Sequence, residues 1–333
     1  PWVKPTKNGN RWRTGSAPVR HNASAATFGK PSLIPAMMPN RQNLRGPVRV
    51  ILLDASNLFY GTAQDFFTNT KEKMTMESVR YVLTSRLAVV ARNMRSYGTN
   101  RVLAFDDRRY WRRQVFPHYK AHRAAERAKS KFDWDKFLGF YDLYQDELKE
   151  FFPFKSIKVD FAEADDVIAI LAPRMSPHEK VCIGSSDTDN LQLQFIDPSI
   201  EQMSFKTKKM ITPKNSEYSL FDHIVRGDAG DGIPNIYSTA DHFVQPDKKR
   251  QKSVMAVNVA EWERHAHEPE KFCSDKMLAR FNQNRMLIDY KFIPPSVATA
   301  IVDAYETAEA PKGKLFGYMV ANRMTRVMQE GGL

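Results

Sequence analysis

The sequence predicts an α/β protein with a mostly parallel, doubly wound central sheet and a helical C-terminal subdomain. Short, nearly continuous apolar runs that suit buried strands alternate with stretches of helical periodicity. At 333 residues, the chain can bury a sizeable core. Its two cysteines, Cys182 and Cys273, are too few for a disulfide framework and lack metal-ligand spacing. We therefore expect a fold held by packing in a reducing compartment.

The first strand is predicted at residues 48–54, where VRVILLD is a run of β-branched residues and leucine. A helix is expected at about residues 76–95, because apolar residues recur there at helical spacing. The later predicted elements are strand 101–106, helix 137–151, strand 156–161, a helix from Glu163 and strand 179–186. Strands that alternate with helices favour a parallel sheet.

We expect three parts along the chain. Residues 1–47 hold eight Lys or Arg and no acid, and their lack of hydrophobic periodicity predicts a disordered basic arm. A solubilising extension and an organelle leader are the alternatives for this arm. Residues 48–226 form the predicted α/β domain, which carries a basic segment at 107–135, named the arch segment below, and residues 227–333 form the helical subdomain.

The charge distribution points to a polyanion-binding protein with an acidic pocket. The chain carries a net charge of +12, of which residues 1–47 contribute +8. Residues 107–131 contain nine Lys or Arg and two acids, so the rest of the chain sums to −3. No apolar run approaches the roughly 20 residues that span a bilayer. We expect no membrane association and a cytoplasmic protein.

Carboxylates recur where predicted strands and turns end. Because the carboxyl ends of parallel strands line one crevice, we expect these acids to converge. They are Asp54, Asp106, Glu163, Asp165, Asp166, Asp187, Asp189, Asp228 and Asp231. Such a cluster would be strongly repulsive without cations, and hard oxygen ligands suit Mg²⁺ or Mn²⁺. A single aspartate after a strand is usually a helix cap, so capping is the alternative for Asp187 and Glu163, and turn formation is the alternative for Asp228 and Asp231.

The arch segment interleaves cations with aromatic residues. Lys120 and Arg123 lie three residues apart, so on a helix they would share a face and could grip one phosphate. The aromatic residues, which could stack on unpaired bases, are Tyr110, Trp111, Phe116, Tyr119 and Phe132. A solvated helix with aromatic anchors is the alternative. A metal cluster beside such a segment suits phosphodiester hydrolysis with two ions. Phosphate-loop and dinucleotide-binding motifs are absent from the sequence.

The motifs LLDASN, AFDD, YKAHR, EADD, SSDTDN and GDAGD, in this order, resemble the 5′ nuclease or flap endonuclease family. YWRR at 110–113, NRMLIDYKFIP at 284–294 and PKGKLFGYMV at 311–320 resemble its ribonuclease H branch in T-even phages. The resemblance covers about residues 48–325. It implies a 5′-to-3′ exonuclease and flap endonuclease that removes RNA primers during lagging-strand replication. The α/β part is then the nuclease domain with a helical arch at 107–135, and the helical subdomain binds DNA.

Residue roles follow from the resemblance. The acids above match the metal-site acids, with Asp166 as an additional member, and two Mg²⁺ ions, which Mn²⁺ can replace, are the implied cofactor. Asp187, Lys120 and Arg123 are the expected catalytic residues. Nucleic-acid contacts are expected from Arg112, Arg113, Tyr119, Lys120, Arg123, Lys248 and Lys249. Implied partners of this expected monomer are DNA and RNA:DNA hybrids with 5′ ends or flaps, a sliding clamp and a single-stranded-DNA-binding protein.

One segment departs from the family pattern. Family members follow the last aspartates with a glycine-paired hairpin that holds duplex backbone around a monovalent cation. Here the segment GIPNIYSTADHFVQPDKKRQKS lacks the paired glycines, which puts a potassium site in doubt. Two other functions remain open: a PIN-like endoribonuclease, and a catalytically inactive nucleic-acid-binding scaffold.

Overall fold

The computed structural model describes residues 48–216, 219–245 and 250–333. These residues belong to one compact unit. The predicted arm at 1–47 lies outside the described residues, as do Lys248 and Lys249. Within the described ranges, no helix has both the length and the apolar character needed to cross a bilayer.

The central sheet is parallel throughout its five described strands, in the order β3-β2-β1-β4-β5. The strands are β1 (Val48–Asp54), β2 (Asn100–Phe105), β3 (Lys155–Lys158), β4 (Glu179–Gly184) and β5 (Glu201–Met203). The predicted α/β class and parallel sheet are confirmed. Strand β5, at only three residues, is too short to leave a readable apolar run.

The helices flank the sheet and form most of the C-terminal third. In the α/β part they are α1 (Ala55–Thr70), α2 (Met76–Asn93), α3 (Trp111–Val115), α4 (His122–Lys129), α5 (Trp134–Phe151), α6 (Ala164–Met175), α7 (Leu191–Ile196), α8 (Pro213–Ser216) and α9 (Leu220–Arg226). The remaining helices are α10 (Ala256–Trp262), α11 (Asp275–Ile288), α12 (Pro295–Thr307), α13 (Leu315–Ala321) and α14 (Thr325–Glu330). The helical C-terminal part is thus confirmed. Helix α1 was not predicted.

Alternation along β1 places a separate core on each face of the sheet. Ile51 and Leu53 pack with α1, α2 and α5 on one face, whereas Val50 and Leu52 pack with α6 and α12 on the other. These four side chains are at most 1% exposed. Full burial of such a side chain contributes roughly 1.5–3 kcal/mol. The two buried faces explain why the strand reads as continuously apolar.

A third core joins the arch to the C-terminal helices. Phe116 and Tyr119 of the arch segment pack with residues of α9 and α11. The rings of Phe221 and Phe281 lie 5.9 Å apart, so this core crosses the expected boundary at residue 226. That boundary stays a prediction. Arg112 Nε donates to the carbonyl of Leu287 at 2.8 Å, which ties α3 to α11.

Candidate metal-dependent active site

Three aspartates follow adjacent strands at one edge of the sheet. Asp54 ends β1, Asp106 follows β2, and Asp187 follows β4 after two serines. The parallel register of β1 with β2 and with β4 brings these ends together. Asp106 and Asp187 are close enough to Asp54 that their repulsion adds to burial in raising the pKa of Asp54. The structure therefore brings these three predicted residues into one site.

Each of these aspartates also accepts a backbone amide hydrogen bond at the start of a helix or a turn. Asp54 Oδ1 accepts from the Asn57 amide at 2.9 Å and caps α1. Asp106 Oδ1 accepts from the first amide of α6, that of Ala164, at 2.8 Å. Asp187 Oδ1 accepts from the Asp189 amide at 3.0 Å. The same carboxylate can therefore cap a backbone amide and belong to the site, because an oxygen that accepts one amide hydrogen bond retains a lone pair for another partner.

Burial makes these carboxylates costly to ionise. Burial, with repulsion from Asp106 and Asp187, raises the pKa of Asp54 to about 7. Burial raises the pKa of Asp106 to about 6, although Lys120 partly offsets it. Burial and repulsion from Asp189 raise the pKa of Asp187 to about 6. Burial and repulsion from Asp54 and Asp187 raise the pKa of Asp165 well above its ordinary value. Cations near these groups would relieve the repulsion.

The three acids around the start of α6 point to different partners. Asp165 accepts from the side chain of Asn190 at 3.2 Å and lines the crevice. Glu163 lines the same crevice, but it forms ion pairs with Lys120 and with Arg112, the latter at 2.7 Å. Burial raises the pKa of Glu163, yet these two cations outweigh it and hold that pKa below the usual value.

Asp166 does not share the position expected from the sequence. It is 0% exposed, and its Oδ2 accepts from Trp111 Nε1 and Arg112 at 3.0 Å. A further Arg112 nitrogen lies 2.8 Å from Asp166 Oδ1. Both oxygens are thus engaged by α3, whereas the crevice is lined by Glu163 and Asp165. The geometry departs from the predicted ligand role, because Asp166 fastens α3 to the start of α6.

Asp228 and Asp231 lie in a tight turn after α9. The amides of Gly230 and Asp231 donate to Asp228 Oδ1 at 2.7 and 3.2 Å. Gly227 has φ +67°, and a Cβ there would meet the Ile233 carbonyl oxygen at 2.3 Å. Only glycine fits this close backbone approach. The turn-forming interpretation is correct, and both aspartates nevertheless line the crevice.

Lys120 and Arg123 converge on one carboxylate, although not through a shared helix. Lys120 precedes α4 and has φ +54°, a left-handed conformation that is uncommon outside glycine. Its amide donates to the Asp231 carbonyl at 2.8 Å. Lys120 Nζ and an Arg123 nitrogen lie 3.4 and 2.8 Å from Asp231 Oδ1. Burial raises the pKa of Asp231, but these cations outweigh it and lower that pKa. The expected shared helix face is wrong for Lys120.

Four aromatic residues of the arch segment are buried in the hydrophobic cores. Trp111, Phe116, Tyr119 and Phe132 are each at most 4% exposed, which contradicts the expectation that they stack on bases. The Tyr119 hydroxyl lies within hydrogen-bond distance of Asp231 and Glu163, at 2.6 and 2.9 Å, and can donate its hydrogen to either carboxylate. The nucleic-acid contact expected of Tyr119 therefore finds no exposed ring here. The four side chains instead hold the arch against the α/β part and the C-terminal helices.

The residues that were predicted to contact phosphate differ in their exposure to solvent. Arg112 is 4% exposed and paired with two carboxylates, so its expected contact with nucleic acid is not met in this structure. Arg113 is exposed and donates to the Tyr119 carbonyl at 3.1 Å. Arg250 and Lys252, next to the undescribed Lys248 and Lys249, line a separate surface cavity with Arg226. That cavity contains none of the predicted acids.

His223 joins the site without having been predicted. It lies on α9, where its Nδ1 is 3.2 Å from Asp189 Oδ1 and its Nε2 is 3.9 Å from Asp228 Oδ2. Burial lowers the pKa of His223, but the hydrogen bond to Asp189 outweighs it and raises that pKa to about 9. The available sequence signal was a histidine one helical turn before the GDAGD turn, which is weak alone.

The donor set fits divalent cations. Carboxylate oxygens from several strand ends and one turn meet in a crevice where burial already opposes their ionisation. Asp189, His223 and Asp228 can present ligand atoms that lie within 4.8 Å of one another. Oxygen-rich sets of this kind suit Mg²⁺ or Mn²⁺.

Comparisons with known proteins agree with this geometry. The family model for the N-terminal, resolvase-like domain of 5′-3′ exonucleases matches residues 49–220, and that for the C-terminal domain of T4 RNase H matches residues 214–330. Ribonuclease H of Enterobacteria phage T4 is 28% identical over 286 residues, which cover 84% of this chain and 93% of that protein.

Two solved structures share the fold. One is the phage T5 flap endonuclease in a pseudo-enzyme–product complex with DNA and metal ions, with a TM-score of 0.53 and 15% identity over 84% of this chain and 99% of that one. The other is the zinc-bound T5 5′-exonuclease, with a TM-score of 0.51 and 18% identity over 83% of this chain and 98% of that one. Because one family model spans more than half of the sequence, this protein belongs to the 5′-3′ exonuclease family.

Proposed function

We propose that this protein is a Mg²⁺-dependent, structure-specific 5′ nuclease with 5′-to-3′ exonuclease and flap endonuclease activity. One observation carries the proposal: buried carboxylates from β1, β2, β4 and α6 meet at one crevice beside Lys120 and Arg123 of the arch. A cluster of oxygen ligands next to cations that can bind phosphate is what phosphodiester hydrolysis requires.

The acids divide into two groups of metal ligands in this proposal. Asp54, Asp106, Asp165 and Asp187 would hold one ion, and the second would lie near Asp189, Asp228 and Asp231. Glu163 interacts electrostatically with a member of each group, Asp106 and Asp231. Bound divalent ions supply Lewis acidity and lower the pKa of a bound water. Mn²⁺ is expected to substitute for Mg²⁺ because it accepts the same oxygen ligands.

Lys120 and Arg123 would bind the phosphate at the cleavage point. Their side chains are 12% and 39% exposed and already reach the Asp231 carboxylate. A phosphate oxygen is a chemically similar partner, so substrate could replace the carboxylate as acceptor. These residues would then orient the phosphate and neutralise charge that develops on it. Tyr119 would act indirectly, because its hydroxyl positions Glu163 and Asp231.

The substrate class rests on the relatives. The names of the T4 ribonuclease H and of the T5 flap endonuclease complex with DNA support nucleic acid with 5′ ends or flaps, including RNA:DNA hybrids. We extend this to primer removal on the lagging strand in the cytoplasm of a phage-infected host. A sliding clamp and a single-stranded-DNA-binding protein are the proposed partners. Arg250 and Lys252, together with Lys248 and Lys249, are the proposed contacts to duplex backbone.

The test is cleavage of a 5′-labelled flap and of a nicked RNA:DNA hybrid, with and without Mg²⁺. Asp187→Asn retains an oxygen that can cap the following turn but removes the negative charge. Asp146→Asn is the matched control, because Asp146 is exposed on α5 away from the crevice. We expect short 5′ products from the wild type and Asp146→Asn only. Tight binding without cleavage by any of the three would favour a binding scaffold and overturn the proposal.

A further inference from the structure

His223 lies between two proposed metal ligands that come from separate segments. Its Nδ1 is 3.2 Å from Asp189, which follows β4, and its Nε2 is 3.9 Å from Asp228 in the turn after α9. The side chains of His223, Asp189 and Asp228 are 19%, 25% and 27% exposed. An ion from solvent can therefore reach all three. They can present ligand atoms that lie within 4.8 Å of one another, which is compatible with a shared coordination sphere.

The helix that carries His223 is held firmly in place. Phe221, Ile224 and Val225 of α9 are at most 8% exposed and belong to the core shared with the C-terminal helices. Ser219 caps the helix by accepting from the Asp222 amide at 3.2 Å. The imidazole thus projects from a rigid element on the side of α9 that faces the crevice. A ligand held on a rigid element needs little ordering when an ion binds.

We propose that Asp189, His223 and Asp228 form a mixed nitrogen and oxygen site that prefers a first-row transition ion, such as Zn²⁺ or Mn²⁺, over Mg²⁺. The proposal deepens the metal assignment made above and rests on it for Asp189 and Asp228. The additional claim concerns His223, which supplies the nitrogen ligand. The strand-end acids Asp54, Asp106 and Asp187 offer only oxygen.

The chemistry of the donors sets this preference. Mg²⁺ is a hard cation that takes oxygen ligands and keeps several waters. Imidazole is a softer donor that binds Zn²⁺ and other transition ions well. Replacing one carboxylate by imidazole also makes the site less anionic by one charge, which weakens its hold on Mg²⁺ relative to an all-carboxylate site. The two halves of the metal centre should therefore differ in the ion that they favour.

A different role for His223 would leave a different signature. If the imidazole only hydrogen-bonds to Asp189 and orients it, its removal should weaken binding of Zn²⁺ and Mg²⁺ to a similar degree. If it is a ligand, its removal should act on Zn²⁺ selectively. The ratio of the two affinities therefore separates coordination from support.

The experiment uses the full chain labelled with ¹⁵N-histidine. Ring-nitrogen resonances are recorded without metal, with saturating Zn²⁺ and with saturating Mg²⁺, and the His223 signals are identified by their loss in His223→Ala. We expect a coordination shift of one His223 nitrogen with Zn²⁺ only. Calorimetry should show that His223→Ala weakens Zn²⁺ binding on the order of tenfold or more and Mg²⁺ binding by less than about twofold.

His178→Ala is the matched control, because His178 is exposed before β4, remote from α9. It should behave as the wild type for both ions. If His223→Ala unfolds, His223→Gln keeps a polar group there and serves for calorimetry, while the Zn²⁺ shift is read on the wild type. Unshifted His223 nitrogens at saturating Zn²⁺, or equal losses for both ions, would overturn the proposal.

Failure of this inference can be told apart from failure of the proposed nuclease function. Coordination by His223 without flap cleavage would overturn the nuclease proposal and support the mixed site. Mg²⁺-dependent cleavage together with unshifted His223 nitrogens would support the nuclease proposal and overturn the mixed site.

Discussion

The two halves of the acidic crevice hold the same kind of side chain under opposite electrostatic conditions. The strand-end half, formed by Asp54, Asp106, Asp165 and Asp187, carries carboxyl groups whose pKa values are raised, first of all by burial. The arch-facing half, formed by Glu163 and Asp231, is also buried against Tyr119, yet its pKa values are lowered. Because burial raises the pKa values in both halves, the charged neighbours determine whether the net shift is upward or downward.

The difference lies in which part of the molecule supplies the positive charge. Lys120, Arg112 and Arg123 neutralise the arch-facing half from within the protein. The strand-end half has no ion pair of comparable length among the described residues. It therefore depends on cations from solution. We infer that the strand-end half is suited to bind metal ions, whereas the arch-facing half is neutralised by cations of the arch. Four changes test this contrast.

The largest effect is expected from Asp54→Asn in the strand-end half. Loss of a proposed metal ligand should remove several kcal/mol of transition-state stabilisation, roughly a thousandfold in cleavage rate. The metal-free fold should become more stable at pH 8, because a buried charge is lost while the Asn oxygen still accepts from the Asn57 amide. Flap cleavage and thermal unfolding in EDTA measure the two. A lower melting temperature than wild type would contradict the contrast.

The next effect concerns Arg112, which is buried with two carboxylates. Arg112→Met should cost about 3–5 kcal/mol of unfolding free energy, because Glu163 and Asp166 lose their partner inside the protein. Urea denaturation measures the loss. In the double variant Arg112→Met/Asp166→Leu, part of the stability should return. A loss below about 1 kcal/mol in the single variant would show that the pair does not hold α3 to α6.

Lys120→Met should make the arch-facing half more like the strand-end half, although Arg112 and Arg123 remain paired with Glu163 and Asp231. Loss of one cation that stabilises phosphate charge costs on the order of 10²–10³ in rate, so cleavage should fall within that range. The pKa of Glu163, followed by NMR, should rise at the same time, since Lys120 lowers it. Lys149→Met, at an exposed position on α5, is the control. An unchanged pKa of Glu163 would show that Lys120 of the arch does not control the electrostatics of the crevice.

The smallest effect is a pH dependence of stability without metal. The pKa of Asp54 rises from 3.8 to about 7, and those of Asp106 and Asp187 rise to about 6. Between pH 4 and 7 the folded state thus binds more protons than the unfolded state, so stability falls as pH rises. We expect the melting temperature in EDTA to drop by several degrees from pH 4.5 to 7.5.

Saturating Mg²⁺ should reverse this slope, since ionised carboxylates bind the ion and protonated ones do not. Asp54→Asn should flatten it in EDTA. Glu163 and Asp231 act in the opposite sense, because their pKa values are lowered, and they contribute only at the acid end of this window, near their ordinary pKa values. A melting temperature in EDTA that rises from pH 4.5 to 7.5 would refute the electrostatic contrast.

Short-range patterns predicted the parts of the fold that short-range forces determine. Strand β1 was visible because burial on both faces demands an unbroken apolar run. Helix α1 was missed because it begins directly at the strand-end Asp54, with no separating turn to mark its start. The acids were found through their position after strands, because the parallel sheet gathers its carboxyl ends.

Long-range partners were beyond the sequence. Asp166 and Asp165 are adjacent, yet only Asp166 meets Trp111 and Arg112, which lie more than fifty positions earlier. The sequence predicted Lys120 on a helix. That prediction failed because its φ of +54° depends on the hydrogen bond between its amide and Asp231. His223 became visible only when the structure placed α9 beside the end of β4. Such contacts depend on packing between distant segments.

The central position of β1 has a consequence for synthesis. The first described strand pairs with β2 on one side and with β4 on the other, where Val48 stands opposite Glu179. A ribosome needs on the order of ten to thirty seconds to pass from Asp54 to Asp231 at typical elongation rates. During that time the nascent chain displays an unpaired strand edge and an incomplete set of acids. Until Asp231 has been added, the messenger being translated therefore meets only an incomplete centre on its own growing chain.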